Sequence, residues 1–396
     1  MKQIKHLAVI AITAITLLAC KKESGILPET ETSVSEDLAT SANSSRNDED
    51  RFGSGEGKHV YTLSNQVSGN AVLDYYRNAN GTLTFNASYL TGGTGTGCGL
   101  GNQGAVIITD DEEEELLLAV NPGSNSISSF KIKENGLQLK STVSSGGMRP
   151  VSIAQHQNIV YVLNAGGTGN ISGFKIGNND KLTAIANSTR PLSSNTSGAA
   201  QVSFVNEGKV VVVTEKATNK IITYTINEWG IPGAMHAIAS ANPTPFGFDA
   251  GRNGNIFVSE AVGGAPGASN LSSYRVNKNG VITLIDGPVG AGQSAACWVV
   301  ITGNGKYAFT TNTASNNISN YNVNRQNGNI SVNTAIAATT GMGPIDAALS
   351  NNSKYLYILN AGSHTIGAYG VTNNGSLSSL QTVTGIPIGA TGLASR

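Results

Sequence analysis

Between residue 60 and the C-terminus the chain repeats one phrase seven times. A short apolar run closes on Asn or Glu, a few small residues follow, and then comes a segment close to Ile-Ser-x-Phe/Tyr-x-Ile. The closing polar residues are Asn65, Asn121, Asn164, Glu215, Glu260, Asn312 and Asn360, at spacings of 56, 43, 51, 45, 52 and 48 residues. Self-similarity at this period means stacked supersecondary units, each unable to bury its apolar face without a neighbour.

Each phrase contains two strands and announces a third. The segments 72–75, 127–130, 171–174, 221–224, 271–274, 318–321 and 366–369 alternate β-branched or aromatic residues with Ser, Asn, Gly or Lys. That is the period-2 pattern of a half-buried strand. Turns follow at Asn80-Gly81, Asn135-Gly136, Asn279-Gly280, Asn327-Gly328 and Asn374-Gly375, while Asn179-Asp180 and Trp229-Gly230 occupy the same place in two repeats. Asn-Gly accepts the positive φ that a hairpin turn matching strand twist requires. After a weaker strand and a glycine-rich loop comes a run of small apolar residues, at 151–154, 200–205, 246–250, 296–301 and 345–349. Small side chains suit strands crowded about an axis. Four strands per unit and seven units predict an all-β, seven-bladed β-propeller. The segment 389–394 resembles an inner strand with no outer strands after it, and the first repeat lacks an inner strand before it. The C-terminal strand is therefore expected to complete the N-terminal blade and remove the exposed edges of an open array.

Composition agrees and narrows the function. The chain has 396 residues, 48 of them glycine, and 25 basic residues balance 25 acidic ones. With zero net charge and no basic stripe, nucleic-acid binding is not expected. Residues 1–19 read as a signal segment, with Lys2 and Lys5 before an apolar stretch at 7–18 too short to span a bilayer. Leu17-Leu18-Ala19-Cys20 resembles a bacterial lipobox, so cleavage would leave Cys20 as the lipidated N-terminus. Two or three acyl chains anchor stably where one does not. Residues 20–57, rich in Ser, Thr, Glu and Asn, read as a tether to a propeller spanning 58–396. The expected localisation is the cell envelope, with the membrane as a partner through the lipid. Cys98 and Cys297 fall in repeats nearly opposite across the ring and are expected to be free thiols.

The residues also resemble a family. Tyr-Val-Leu-Asn-Ala-Gly at 161–166, Ile-Ser-Gly-Phe-Lys-Ile at 171–176 and Gly-Met-Arg-Pro at 147–150 look like the lactonase-type seven-bladed propellers. Tyr-Ile-Leu-Asn-Ala-Gly at 357–362 and Gly-Met-Gly-Pro at 341–344 repeat the theme. That family includes propeller-type 6-phosphogluconolactonases and carboxymuconate-cyclase relatives, and it borders on surface repeats with a Tyr-Val-Thr-Asn signature. The resemblance implies a sugar lactone as substrate and His and Arg near the inner strands. In the matching stretches of this chain Arg149 is the basic residue, and no His appears.

Candidate site residues are those where the repeats differ or where loops gather at the channel mouth. Arg149 can clamp a carboxylate or phosphate, or pair with a neighbouring blade. Glu215 and Glu260 occupy equivalent positions, as an acid–base or cation-binding pair or as loop-holding groups like the Asn of the other repeats. Asn121, Asn164, Asn312 and Asn360, together with Lys216, belong to the same face. Asp249, Asp346 and Trp298 lie on inner strands, as channel lining or as packed structural groups. The acidic run 110–115 is a solvated turn or a calcium site. His364 is the one histidine expected in a loop of this face. Catalytic candidates are thus Arg149, Glu215 and Glu260, with no cofactor and no tight metal-ligand spacing. Three functions remain open: binding of a small molecule, glycan or envelope protein at the channel face, hydrolysis of a sugar lactone, and a structural surface repeat.

Overall fold

The computed structural model describes residues 58–109 and 115–396. The lipobox Cys20, the signal and tether segments and acidic residues 110–114 lie outside the described residues. Seven antiparallel sheets form seven blades, and in blades 2 to 7 strand order follows chain order. Their inner strands are Val106–Ile108, Met148–His156, Ala199–Val205, Pro245–Ala250, Ala296–Ile301 and Pro344–Leu349. Blade 1 takes its inner strand from the far end of the chain. Thr391–Ser395 runs antiparallel to His59–Leu63, with Val60 opposite Ser395 and Thr62 opposite Leu393. Each inner strand packs against the next around the whole ring, so no blade has an open inner edge.

Burial explains why the phrase is apolar where it is. The second strands Leu116–Asn121, Val210–Glu215 and Asn255–Glu260 are buried at every residue, because a neighbouring blade covers each face. They read as continuous apolar runs for the same reason that doubly covered parallel strands do. The outer strands, such as Ile330–Thr339, lie at the rim and are largely exposed. In blade 3 the outer strand is broken into Leu182–Ala184 and Arg190–Pro191, both paired with Asn170–Ile176.

The outer turns do more than reverse the chain. Gly81, Gly230, Gly280 and Gly375 all have positive φ. Their carbonyls accept hydrogen bonds from the preceding blade: Tyr357 Oη to Gly81 (2.9 Å), Tyr161 Oη to Gly230 (2.7 Å), Thr223 Oγ1 to Gly280 (2.6 Å) and Asn320 Nδ2 to Gly375 (2.7 Å). Asp180 fills the turn of blade 3 at φ 64° and accepts Ser129 Oγ at 2.8 Å. Asp tolerates the left-handed region better than most residues, and its carboxylate also meets Lys140 of blade 2 at 3.0 Å. The Asn-Gly signal is therefore both a hairpin turn and a blade-to-blade latch.

Candidate functional site

The inner strands run from an upper face, where they begin, to a lower face. The loops after the second strands share the upper face. A segment that the repeat pattern does not contain crosses the channel beneath that face. Residues 101–104 leave blade 1 on their way to blade 2 and tie into three other blades. Asn102 Nδ2 donates to the carbonyls of Ala199 (2.6 Å) and Ala200 (2.9 Å) in blade 4. Gln103 bonds both backbone groups of Val299 in blade 6, donating to its carbonyl at 2.8 Å and accepting its amide at 3.2 Å. Ile153 of blade 3 donates its amide to Gly104 at 2.8 Å. Gly247 makes the crossing possible, since a Cβ there would stand 2.1 Å from Gln103 Oε1. A buried side chain that satisfies a strand's amide and carbonyl together is held firmly. The crossing divides the channel into an upper mouth and a lower chamber.

At the mouth stands Lys216, directly after Glu215 at the end of a second strand. Its ammonium donates to Gly101 O at 2.7 Å and lies 4.5 Å from the centroid of Phe246. Phe246 packs on Trp298, ring centroids 4.9 Å apart, in a cluster with Ala200 and Cys297. Burial pulls the lysine pKa down to about 8, and the nearby Arg149 charge acts in the same direction. Lys216 as a whole is half-buried. Arg149 is exposed at the start of its inner strand, at φ 53°, with its amide bonded to Asn125 Oδ1 (2.7 Å). Among the described residues neither cation is in a salt bridge.

The other expected residues do not gather at this mouth. Glu215 is fully buried. Its Oε1 accepts Ser193 N at 2.9 Å, and Oε2 accepts Ser193 Oγ and Thr218 Oγ1, the latter at 2.5 Å. Glu260, also fully buried, accepts Ser272 Oγ and Tyr274 Oη, each at 2.8 Å. Burial raises the Glu260 pKa, and those two hydroxyls oppose the shift. The two carboxylates thus share no common site and serve separate blades. The asparagines act alike. Asn121 and Asn312 donate to Ser128 and Ser319, both at 2.8 Å, Asn164 donates to Asn170 Oδ1 at 2.8 Å, and Asn360 to Thr365 Oγ1 at 3.1 Å. Trp298 is 2% exposed, and its indole N–H donates to Asn102 O at 3.3 Å, so it supports the crossing and offers no open stacking face. His364 stays in its loop at φ 53°. Among the described residues no group of three His, Cys, Asp or Glu side chains is placed to hold a metal. Cys98 and Cys297 are free, and burial pushes the Cys297 thiol up to about 11.

The aspartates lie on the lower side. Asp249 accepts the amides of Ala250 (2.8 Å) and Ile301 (2.7 Å), and burial raises it to about 6. Asp346 lines the lower chamber, a space of about 360 Å³ shared with Gln103, Gln155, Gln201, Ser203 and Ser395. Its Oδ1 accepts Ala347 N at 2.8 Å, its buried Oδ2 has no partner, and burial lifts its pKa well above the carboxylate range. The sequence pattern carries no signal for the crossing. Lys216 stood out in the sequence merely as the neighbour of Glu215.

Comparison with known proteins places this architecture. Residues 285–395 match the family model described as Lactonase, 7-bladed beta-propeller. A candidate 6-phosphogluconolactonase from Bacteroides fragilis has 15% identity and a TM-score of 0.65, over 87% of this chain and 99% of that one. A protein from Lactobacillus plantarum has 16% identity and a TM-score of 0.68, over 86% and 99%. The periplasmic gluconolactonase PpgL of Pseudomonas aeruginosa has 12% identity and a TM-score of 0.64, over 84% and 98%. Among curated proteins none matches the chain. At these identities the solved structures establish the fold.

Proposed function

We propose, for a chain that carries the seven-bladed propeller of the lactonase family, that the upper mouth binds a small anionic sugar derivative, a sugar acid or a sugar lactone. The observation that carries this reading is that two cations, Arg149 and Lys216, lie near one another at the upper face and that neither is in a salt bridge among the described residues. Glu215, next in sequence to Lys216, is the nearest acid along the chain, and its oxygens are taken by Ser193 and Thr218. A pair of cations without salt-bridge partners attracts an anion, and the planar guanidinium suits a carboxylate or phosphate. Fold alone does not decide activity.

Hydrolysis of a lactone ring is the second reading. It is favoured by the family match over residues 285–395 and by a lysine whose pKa of about 8 leaves part of it as free base near neutrality. A base poised near the working pH is what proton abstraction from water needs. In this scheme Arg149 orients the anionic substrate and Lys216 receives the proton. Glu215 and Glu260 are left as structural groups.

A screen of the purified protein against sugar acids and sugar lactones, by calorimetry and by acid release, tests both readings. Binding weakened at least tenfold by Arg149→Ala and by Lys216→Met is expected. Binding untouched by both substitutions would overturn the assignment of the mouth.

We also propose that Cys20 is lipidated and holds the protein at the bacterial envelope. The support is the Leu17-Leu18-Ala19-Cys20 sequence after a short apolar segment. Cys20→Ala should release the protein from the membrane fraction, and unchanged retention would refute the anchor.

A further inference from the structure

We infer that Lys216 is a carbonyl-capturing lysine, whose amine condenses with the aldehyde or ketone group of a small oxo acid while Arg149 holds the acid's carboxylate. The choice of an acidic carbonyl compound rests on the anion-binding reading of the mouth; the reactivity of the amine does not.

Three observations carry the inference. First, the amine is starved of partners: among the described residues its one hydrogen-bond acceptor is Gly101 O, at 2.7 Å, and it is in no salt bridge. Second, its surroundings are apolar, with the Phe246 ring 4.5 Å away and Ala200, Cys297 and Trp298 in the same cluster. Third, a second cation, Arg149, lies near enough to lower the lysine's pKa further, against the opposing and larger influence of the Cys297 thiol. Desolvation in an apolar pocket and a second cation nearby are the two devices that keep a lysine as a free nucleophile. A lysine needed simply to tie down the crossing would be better served by a nearby carboxylate, which Glu215 does not supply. With a pKa of about 8, roughly a quarter of the groups are free amine at pH 7.5.

The chemistry balances without any further reagent. The nitrogen lone pair attacks the carbonyl carbon and forms the C–N bond, while the carbonyl π electrons pass to oxygen, which takes up a proton. Loss of both amine protons from nitrogen, one taken up by the oxygen on addition and the second as it departs as water, leaves the C=N bond of an imine. One water is released, and nothing is oxidised or reduced. Arg149, exposed at the head of its inner strand, supplies the charge that selects an oxo acid over a neutral aldehyde.

The test is reductive trapping on the full chain. The protein is incubated with glyoxylate, or in parallel with propanal, in the presence of cyanoborohydride, and the modified lysines are mapped by peptide mass spectrometry. Lys216 is expected to be trapped by glyoxylate at least tenfold faster than the mean of the other lysines. Arg149→Ala should slow glyoxylate trapping several-fold more than propanal trapping, because it removes the partner of the carboxylate as well as a cation that lowers the Lys216 pKa. Lys216→Arg should abolish the dominant adduct; if that variant fails to fold, the wild-type adduct map decides the question. Adducts spread evenly over the lysines would overturn the inference. So would equal slowing of both aldehydes in Arg149→Ala, because the arginine would then act on the amine alone and hold no carboxylate. Failure of every sugar acid and lactone to bind, with propanal still concentrated at Lys216, would refute the mouth's anion reading and leave the reactive amine standing.

Discussion

Glu260 accepts a hydrogen bond from Ser272 at 2.8 Å and so joins the end of one buried strand to the strand beside it. Asn121 to Ser128 and Asn312 to Ser319 make the same join in other blades, each also at 2.8 Å. In these three blades the two halves of the recurring phrase, the closing Asn or Glu and the Ser of the next strand, are the two ends of one hydrogen bond.

Removing one end of that join should cost stability and spare ligand binding. Asn312→Ala leaves Ser319 Oγ and the Asn317 side chain without their shared donor. The expected loss is about 1–3 kcal/mol. It should appear as a lower midpoint in chemical denaturation, while affinity per folded molecule at the mouth stays within twofold. A tenfold loss of affinity with unchanged midpoint would place the residue at the ligand instead.

Asp346 predicts a pH dependence with a definite sign. Its pKa in the folded protein is raised by burial, so the native state binds that proton more tightly than the unfolded chain does. Stability from this group is fully present below the ordinary aspartate pKa and is lost as pH rises through the elevated folded value. Asp346→Asn mimics the neutral acid and places an amide at the unpartnered oxygen. Thermal melts should find the variant close to wild type at pH 4 and more stable than wild type at pH 8. A variant less stable at both pH values would mean that the carboxylate is ionised and satisfied.

Asp249 extends the same argument with a stated window. Its folded value is about 6 against an ordinary 3.8, so its contribution is fully present below 3.8 and falls away as pH rises to about 6. The loss between those limits is up to about 3 kcal/mol, reduced by the partial solvent contact of the side chain. Titration of Asp249 by NMR should show a midpoint near 6; a midpoint near 4 would contradict the burial account.

Ring closure depends on the strand Thr391–Ser395. Ending the chain at residue 390 opens blade 1 on its inner edge and frees Arg77 Nη2 from the carbonyl of Arg396, a bond of 2.9 Å. An open propeller exposes paired edges to other chains. Sedimentation and melting should show loss of the single cooperative transition and self-association. A monomer with an unchanged melt would show that six closed blades suffice.

Sequence and structure divide the account unevenly. The phrase at Asn65 through Asn360 established seven units, four strands in each and closure by the C-terminal strand, because every blade meets the same steric problem and solves it with the same residues. It also marked the Asn-Gly turns, though their latching to the preceding blade appeared only when neighbouring blades were in place. The difference at Glu215 and Glu260 was legible and its meaning was not. Glu260 accepts from Ser272 where Asn121 donates to Ser128, the same join with opposite polarity, whereas Glu215 is held by Ser193 and Thr218. The mouth was decided by tertiary structure. Asn102 and Gln103 belong to no repeat, and their partners Ala200 and Val299 lie 98 and 196 residues away. A periodic pattern reports what each blade shares with the next. The upper mouth is shaped by the one segment that breaks the pattern, and Lys216 is held there by its bond to Gly101 of that crossing.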